Sequence, residues 1–595
     1  MRSKAAALLA VLALALTMGV TSSARAELFN PRQIWLRNST AGLFLHWGMR
    51  TSPGYTDCAA WEKAVTDGGW DPAYWVREAR KLHASYLVLA SFHSRLGYSR
   101  PWPSKIPGSC STKRDFLGEL ITAARAKGLR VILYMTDDPK WHDESGHEWL
   151  DSAAYSAYKG KSVDLTTRPG FGEFSWDNFV EVMHNYPGLS GFWIDNDNEY
   201  WEQNGLYELI RKERPDMLLS NNNEDTPIMD TVSNEQKTGM TPAYDYPAAT
   251  WTPMPRLTEA DFKLPTKGAW WYDGSDSDID YPLSVGRYIT NAGASIKNLI
   301  AETAMVNGKF PAKQEAFNDF LDKYLDPIWE SIHGTEGGGY MYGGLQPGAW
   351  NDGAYGTVTV AKADPFRNYL HVLTRPSGDT LTVRDNGYRV ARVTDVRTGR
   401  RFAFTQANGR VTISGITNWD RYDTAFRVDL AGREGLYRHV AATATASADG
   451  HPAANLTDGS YLNYWDANAT VPVSITLDLR RRGPVRFLAI NQRENSPTHN
   501  RETFGRKEDS ARIKDYRVYV SDDGVTWGDP VKTGVLESAK AVRFIDLPTA
   551  TTARYIKLEV DSTWAAESVP AFFKKLAIDE IHVGWGSPTG RGGAR

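Results

Sequence analysis

The residues able to do chemistry begin with a run of acids. In "LSGFWIDNDNEYW", residues 189–201, an apolar stretch from Leu189 to Ile194 ends in Asp195, and Asp197, Glu199 and Glu202 follow. A carboxylate at the tip of a buried strand, beside Trp193 and Trp201, is placed for nucleophilic attack or proton transfer in a partly apolar site. His46, His93 and Tyr134 also stand at or just beyond the ends of apolar runs. One such residue reads as a strand cap. Four at equivalent strand ends read as one site.

The elements that position them alternate. "AGLFLH" (41–46), "SYLVLAS" (85–91), "LRVILYM" (129–135), the run ending at Asp195, "DMLLS" (216–220), "GAWWY" (268–272) and "NLIAE" (298–302) are predicted as strands. Between them lie helical patterns at 71–83, 115–128, 173–185 and 205–213, and a long helix at 312–331. Asp71 followed by Pro72 is an N-cap signal, and Gly128 a stop signal. Repeated β-then-α units with strands apolar throughout predict a parallel sheet covered by helices. Their extent, residues 27–338, fits a (β/α)₈-type barrel, where function sits at the C-terminal ends of the strands. Residues 339–431 lose helical periodicity and read as an antiparallel β-sandwich. Residues 437–586 read as a third, β-rich domain, and 587–595 as a disordered tail.

Composition narrows the partners. The 595 residues predict several domains, and 21 Trp with 28 Tyr and 21 Phe slightly favour a surface that stacks on sugar rings, although large β-rich cores raise the same count. A net charge of −3 and the lack of a basic cluster argue against nucleic acid. "MRSK", the apolar run Ala5–Val20 and "ARA" at 24–26 read as a secretory signal peptide over residues 1–26, so the mature chain is expected outside the cell at a charge of about −6. Sixteen apolar residues are short for a membrane span, and nothing else in the chain is long enough. Cys58 and Cys110 are the only cysteines; export permits a disulfide between them, and their spacing leaves the pairing open. No Cys/His spacing suggests zinc. Oligomeric state has no signal in the sequence.

Five motifs in order, "GLFLHWG" (42–48), "SYLVLASFHSRLGYSRPWPSK" (85–105), "KRDFLGELITAARAKGLRVILYM" (113–135), "GFWID" (191–195) and "IHGTEGG" (332–338), resemble glycoside hydrolase family 29, the α-L-fucosidases. The resemblance implies a retaining exo-glycosidase that removes terminal α-L-fucosyl residues from glycans by double displacement without a catalytic cofactor. Asp195 matches the nucleophile of the family's W-x-D motif. Glu235, in "NNNEDTPIMDTVSNEQ" (221–236), matches the acid/base; Glu199, Glu202, Glu224 and Asp273 are its local rivals. Retention requires the two carboxyl groups about 5–5.5 Å apart. His46, His93 and Tyr134 would line the sugar pocket. Trp61 and Trp193 would either face the sugar ring or pack in the core.

Three positions depart from the family pattern: Ala60 and Ser94 stand where Glu and His are usual, and Asn223 where Arg is expected. A pocket that hydrogen-bonds one hydroxyl pattern discriminates against others, so these changes leave open a related sugar. A non-catalytic glycan-binding barrel is a further alternative, and retention of Asp195 and Glu235 speaks against it.

The third domain is similar to factor V/VIII type C, discoidin-like modules, including family 32 carbohydrate-binding modules. The carrying segments are "ASADGHPAANLTDGSYLNYWDA" (446–467), "FLAINQRE" (487–494), "RIKDYRVYVSDDGVTW" (512–527), "ARYIKLEV" (553–560) and "AIDEIHV" (577–583). The resemblance implies a structural Ca²⁺ near Asp458 and Glu580, although "TDGS" also reads as a plain turn. It makes Arg493 a glycan contact.

Overall fold

The computed structural model describes residues 30–585, except 137–138, 140–146, 196–198, 223–227, 236–256, 338–354, 365, 385–387, 408–409, 434, 460–462, 493–510, 537–542, 549 and 566–575. The proposed signal peptide, the C-terminal tail, Arg493, Asn223 and Glu224 lie outside the described residues.

Eight parallel strands close into a barrel: β1 (Ala41–His46), β2 (Ala84–Ala90), β3 (Arg130–Met135), β4 (Gly191–Ile194), β5 (Leu218–Asn222), β6 (Thr231–Ser233), β7 (Leu257–Lys263) and β8 (Ile296–Glu302). β8 returns to β1 in parallel register, with Leu43 opposite Ile300. Side chains alternate along each strand. Leu43, Leu87, Leu133, Phe192 and Ile300 point out to the helices, while Phe44, Tyr86, Ile132, Trp193 and Leu299 fall in the inner apolar cluster. Both faces are buried, which is why these strands read as continuous apolar runs.

The helices are capped as their sequences suggest. Asp71 accepts from the Ala73 amide at 2.9 Å ahead of the helix Pro72–Lys81, and the helix Ala312–Leu325 continues as a 3₁₀ turn to Ser331. Two expectations fail. "GAWWY" is a loop, not a strand. The seventh strand is "LTEADFK", and the short sixth strand was not among those predicted. In β7 the acids Glu259 and Asp261 alternate with Thr258 and Ala260; period-2 polarity normally marks a solvent face, but here the polar side points into the barrel.

Cys58, at the start of the helix Cys58–Asp67, is bonded to Cys110, closing a separation of 52 residues. A loop of that size is worth about 4 kcal/mol by chain entropy. Replacing both cysteines by serine is expected to lower barrel stability by up to about that amount. Urea denaturation of the oxidised protein and of the double variant checks it.

The second region is one continuous antiparallel sheet: β9 (Thr335–Gly337), β10 (Gly356–Ala361), β11 (Arg367–Val372), β12 (Thr380–Arg384), β13 (Tyr388–Asp395), β14 (Arg401–Ala407), β15 (Arg410–Ser414) and β16 (Thr424–Arg433). Their order is β12-β15-β14-β13-β16-β11-β10-β9. Leu381 of β12 and Val358 of β10, far apart in that order, belong to one apolar cluster, so the two ends of the sheet share a core. β9 begins at Thr335, inside the segment expected to close the barrel. His371 Nδ1 lies 2.7 Å from Asp423 Oδ2, and its Nε2 3.1 Å from the Ser331 carbonyl, which joins this sheet to the end of the barrel.

The third region packs a five-stranded sheet (Ala441–Ala444, Val473–Pro484, Thr552–Val560, Asp515–Ser521, Lys532–Val535) on a four-stranded one (Trp465–Asp466, Ala577–Gly584, Phe487–Gln492, Arg543–Asp546). Leu477, Val518, Ile556 and Ile578 share its core with Trp465.

Candidate active site

The period of two carries each inward-facing stripe to the C-terminal rim. Phe44 leads to His46, Ile132 to Tyr134, Trp193 to Asp195, Ser220 to Asn222 and Ser233 to Glu235. Five strands thus deliver polar side chains to one end of the barrel, where barrel sites form.

Asp195 is 5 % exposed and doubly held. Tyr134 donates its hydroxyl to Oδ2 at 2.6 Å, and Asn222 donates its amide to Oδ1 at 2.9 Å. The same Asn222 nitrogen makes a longer contact of 3.5 Å with Oε2 of half-buried Glu235. Bonds of 2.9 and 3.5 Å to one nitrogen limit the separation of these two oxygens to about 6.4 Å, a span that includes the carboxyl spacing of a double displacement. Asn222 was not singled out from sequence, although it ends a strand in the acidic segment.

Beneath this pair lies a second acidic layer that sequence reasoning missed. Glu259 and Asp261 are each 1 % exposed. Glu259 accepts from Tyr86 and, at 3.0 Å, from the Trp193 indole; Asp261 accepts from Ser233 at 2.7 Å. Burial, then the Glu235 carboxylate, push Asp261 well above the usual carboxylate range. Burial also raises Glu259, against the hydrogen bonds it receives. In both carboxyls burial disfavours the charged form.

The histidines are neutral. Burial and then His93 push His46 well below the usual imidazole range. Burial and then Arg95 hold His93 at about 4. The Arg95 amide donates to His93 Nδ1 at 3.1 Å, which leaves the ring proton on Nε2. The two rings meet edge to face at 6.0 Å, and His93 lies 5.6 Å from Tyr134. His46 Nδ1 is buried with no partner among the described residues. Between about pH 6.5 and 4 the unfolded chain binds the His93 proton more readily than the folded one, so this residue makes stability rise with pH across that window. The shift is worth on the order of 3 kcal/mol. Urea denaturation at both pH values is expected to show that much less acid sensitivity in a His93→Phe variant than in the parent protein.

The tryptophans divide. Trp193 is buried in the barrel, stacked on Tyr134 at 5.6 Å and tied to Glu259, so it supports the site from below. Trp61 is fully buried in the layer between barrel and helices, 5.2 Å from Trp47; it packs in the core and is not brought to the pocket. Ala60 faces outward on the same helix. The aromatic wall comes instead from the misread "GAWWY" loop. Half-buried Trp270 lies 5.5 Å from His46, and Trp271 lies 5.8 Å from His93. Adjacent tryptophans in a strand-like stretch were the available signal. Among the rivals for the second carboxylate, Glu202 is exposed, and Asp273 is exposed and accepts from Ser275 within a turn. The Glu199 side chain lies outside the description.

In the C-terminal domain, buried Glu580 accepts from the Gly459 amide at 3.1 Å, so the Asp458 turn and Glu580 do meet. Among the described residues no group of three or more His, Cys, Asp and Glu side chains is arranged for a metal. A hard cation there would draw on backbone carbonyls beside these carboxylates, which suits calcium chemistry. No described helix is long and apolar enough to cross a membrane.

Comparison with known proteins agrees with this architecture. The Alpha-L-fucosidase family model matches residues 55–252, and the F5/8 type C domain model residues 441–571. No curated protein matches the chain. Among solved structures, α-L-fucosidase isoenzyme 1 from Paenibacillus thiaminolyticus is 18% identical over 68% of this chain and 99% of its own, with a TM-score of 0.53. A trapped covalent intermediate of a family 29 α-L-fucosidase from Bacteroides thetaiotaomicron, with 2-fluoro-fucosyl fluoride, is 17% identical over 68% and 97%, at 0.52. The Thermotoga maritima α-fucosidase in complex with fucose is 16% identical over 68% and 97%, at 0.50. At these identities the likeness is one of fold. The barrel matches the Alpha-L-fucosidase model over residues 55–252 and shares its fold with these enzymes, and the C-terminal domain matches the F5/8 type C model over residues 441–571.

Proposed function

We propose that the protein is an exported, exo-acting, retaining glycosidase that removes terminal α-L-fucosyl residues from glycans. The observation that carries this reading is the Asn222 amide, which reaches both Asp195 and Glu235 at the barrel rim. Asp195 attacks the anomeric carbon while Glu235 protonates the departing oxygen, giving a glycosyl-enzyme ester. Glu235 then takes a proton from water as that water attacks the same carbon and releases Asp195. Tyr134 and Asn222 aim the Asp195 oxygens and stabilise its charge. Neutral His46 and His93 offer hydrogen bonds to ring hydroxyls, and Trp270 and Trp271 offer apolar faces to the sugar. The trapped covalent intermediate of a fold relative supports the double displacement.

Residues 1–26 direct export in this proposal, and the C-terminal domain holds a structural Ca²⁺ near Asp458 and Glu580 and presents Arg493 to glycan. Neither role enters the chemistry.

A second reading keeps the reaction and changes the sugar. Ser94 Oγ is buried with no partner among the described residues, and Ala60 is exposed and carries no polar side-chain group. The polar contacts expected at those places are therefore missing, so a sugar with another hydroxyl pattern fits better there. A screen of aryl glycosides separates the readings. Turnover of p-nitrophenyl α-L-fucoside at least about 10²-fold above any other glycoside supports the first. Preference for another glycoside supports the second, and turnover of none defeats both.

A further inference from the structure

The outer wall of the barrel carries an open cleft with no part in the chemistry above. It is built on the helix Arg168–Asn185. One side of that helix packs on the barrel, where the ring of Phe179 lies 4.1 Å from that of Phe192 in β4. Two rows of half-buried residues run beside each other at i, i+4 spacing: Trp176 with Val180, and Asp177 with Glu181. Tyr158 of the helix Ser152–Lys159 and Lys105, from the loop after β2, complete the lining. The cleft encloses about 630 Å³, within the range of about 300–1,000 Å³ typical of small-molecule sites.

Two features distinguish it from plain surface. Tyr158 is 51 % exposed, yet its ring is stacked at 6.1 Å on buried Tyr155. Tyr155 is fixed in turn by donating its hydroxyl to Asp177 at 2.8 Å. An exposed ring already held in place loses little freedom when a ligand stacks on it. The second feature is Glu181. Its Oε1 accepts from the Lys105 amide at 3.1 Å, while its Oε2 is buried with no hydrogen-bond partner among the described residues. Buried polar atoms normally have a partner, and a donor brought into the cleft supplies one here.

Charge narrows the class of ligand. Two ammonium groups, Lys105 and Lys159, and two carboxylates, Asp177 and Glu181, line the cleft, so its formal charge cancels. Lys159 bridges Asp177 at 2.8 Å and Glu173 at 3.1 Å. The carboxylates repel a polyanion, and an acyl chain would bury these charged groups at a cost. Aromatic faces beside hydrogen-bonding groups match a sugar, whose ring has an apolar C–H face and a rim of hydroxyls.

We propose that this cleft is a second carbohydrate site, one that holds a neutral oligosaccharide without cleaving it. Asp177 is spent on Tyr155 and Lys159, which leaves Glu181 without a second carboxyl to work with. The cleft lies among the outer helices, so the sugars held there are not the residue removed at the barrel rim. The proposal stands whether or not that residue is fucose.

The test is affinity electrophoresis of the full-length protein in native gels that contain fucosylated xyloglucan, galactomannan or, as the polyanion, heparin. At least one of the two neutral polymers is expected to retard the wild-type protein, and heparin is not. Trp176→Ala and Tyr158→Ala are each expected to weaken that retardation about tenfold. Tyr158 is exposed, so its variant keeps the test readable should Trp176→Ala fail to fold. Mobility needs no turnover, so a failed aryl-glycoside screen leaves this result standing. No retardation by either neutral polymer, retardation undiminished in the folded variants, or stronger retardation by heparin would overturn the site. So would a wild-type dimer in sedimentation velocity that Tyr158→Ala converts to monomer, which would give the cleft to a second copy of the chain.

Discussion

Asp195→Asn is expected to lower kcat on p-nitrophenyl α-L-fucoside by about 10⁴-fold or more, because the variant cannot form the ester through which both half-reactions pass. Asparagine keeps the shape of the side chain and can still meet Tyr134 and Asn222, so circular dichroism and the melting temperature should stay close to wild type. A second variant sharpens the test. In Asp195→Gly the space of the missing carboxylate can admit azide, which then attacks the anomeric carbon from the nucleophile's side. The product is the β-L-fucosyl azide, of inverted configuration, and its identification would locate the nucleophile by stereochemistry. An Asp195→Asn enzyme within tenfold of wild type would remove Asp195 from that role. The aryl-glycoside screen, run in parallel, shows whether the chosen sugar was the problem.

Glu235→Gln should behave differently, since the acid and the nucleophile fail in different ways. The loss expected is about 10²–10⁴-fold on substrates whose leaving group is an alcohol, because that oxygen departs only when protonated. With 2,4-dinitrophenyl as leaving group the first step needs little acid help. Hydrolysis of the glycosyl-enzyme, which still needs a base, becomes rate-limiting. A burst of dinitrophenol followed by slow turnover is therefore expected, and azide should speed the slow phase because it attacks without giving up a proton. An equal loss across all leaving groups would assign the acid/base role elsewhere.

The strands leading to the candidate site were readable because a parallel barrel buries both of their faces. Residues 41–45, 131–133 and 191–194 are apolar throughout, so the polar residue next after each run stood out as His46, Tyr134 and Asp195. The seventh strand hid for the opposite reason. Its alternation of Glu259 and Asp261 with Thr258 and Ala260 is the pattern of a solvent-facing edge. Only the closed barrel supplies the Tyr86, Trp193 and Ser233 donors that let those acids lie inside. The "GAWWY" segment was misread because aromatic residues carry β-propensity whether they pair in a sheet or wall a pocket.

By itself, the sequence determined the alternation of strands and helices through the first four strands and the helix caps, since each depends on residues near one another along the chain. Tertiary structure alone decided which tryptophans reach the pocket, whether Cys58 and Cys110 join, and that Asn222 spans Asp195 and Glu235. Those outcomes depend on how far barrel closure turns each strand and on which side chains it brings together from distant segments. No local pattern encodes such distances, because they are set by the packing of all eight strands at once.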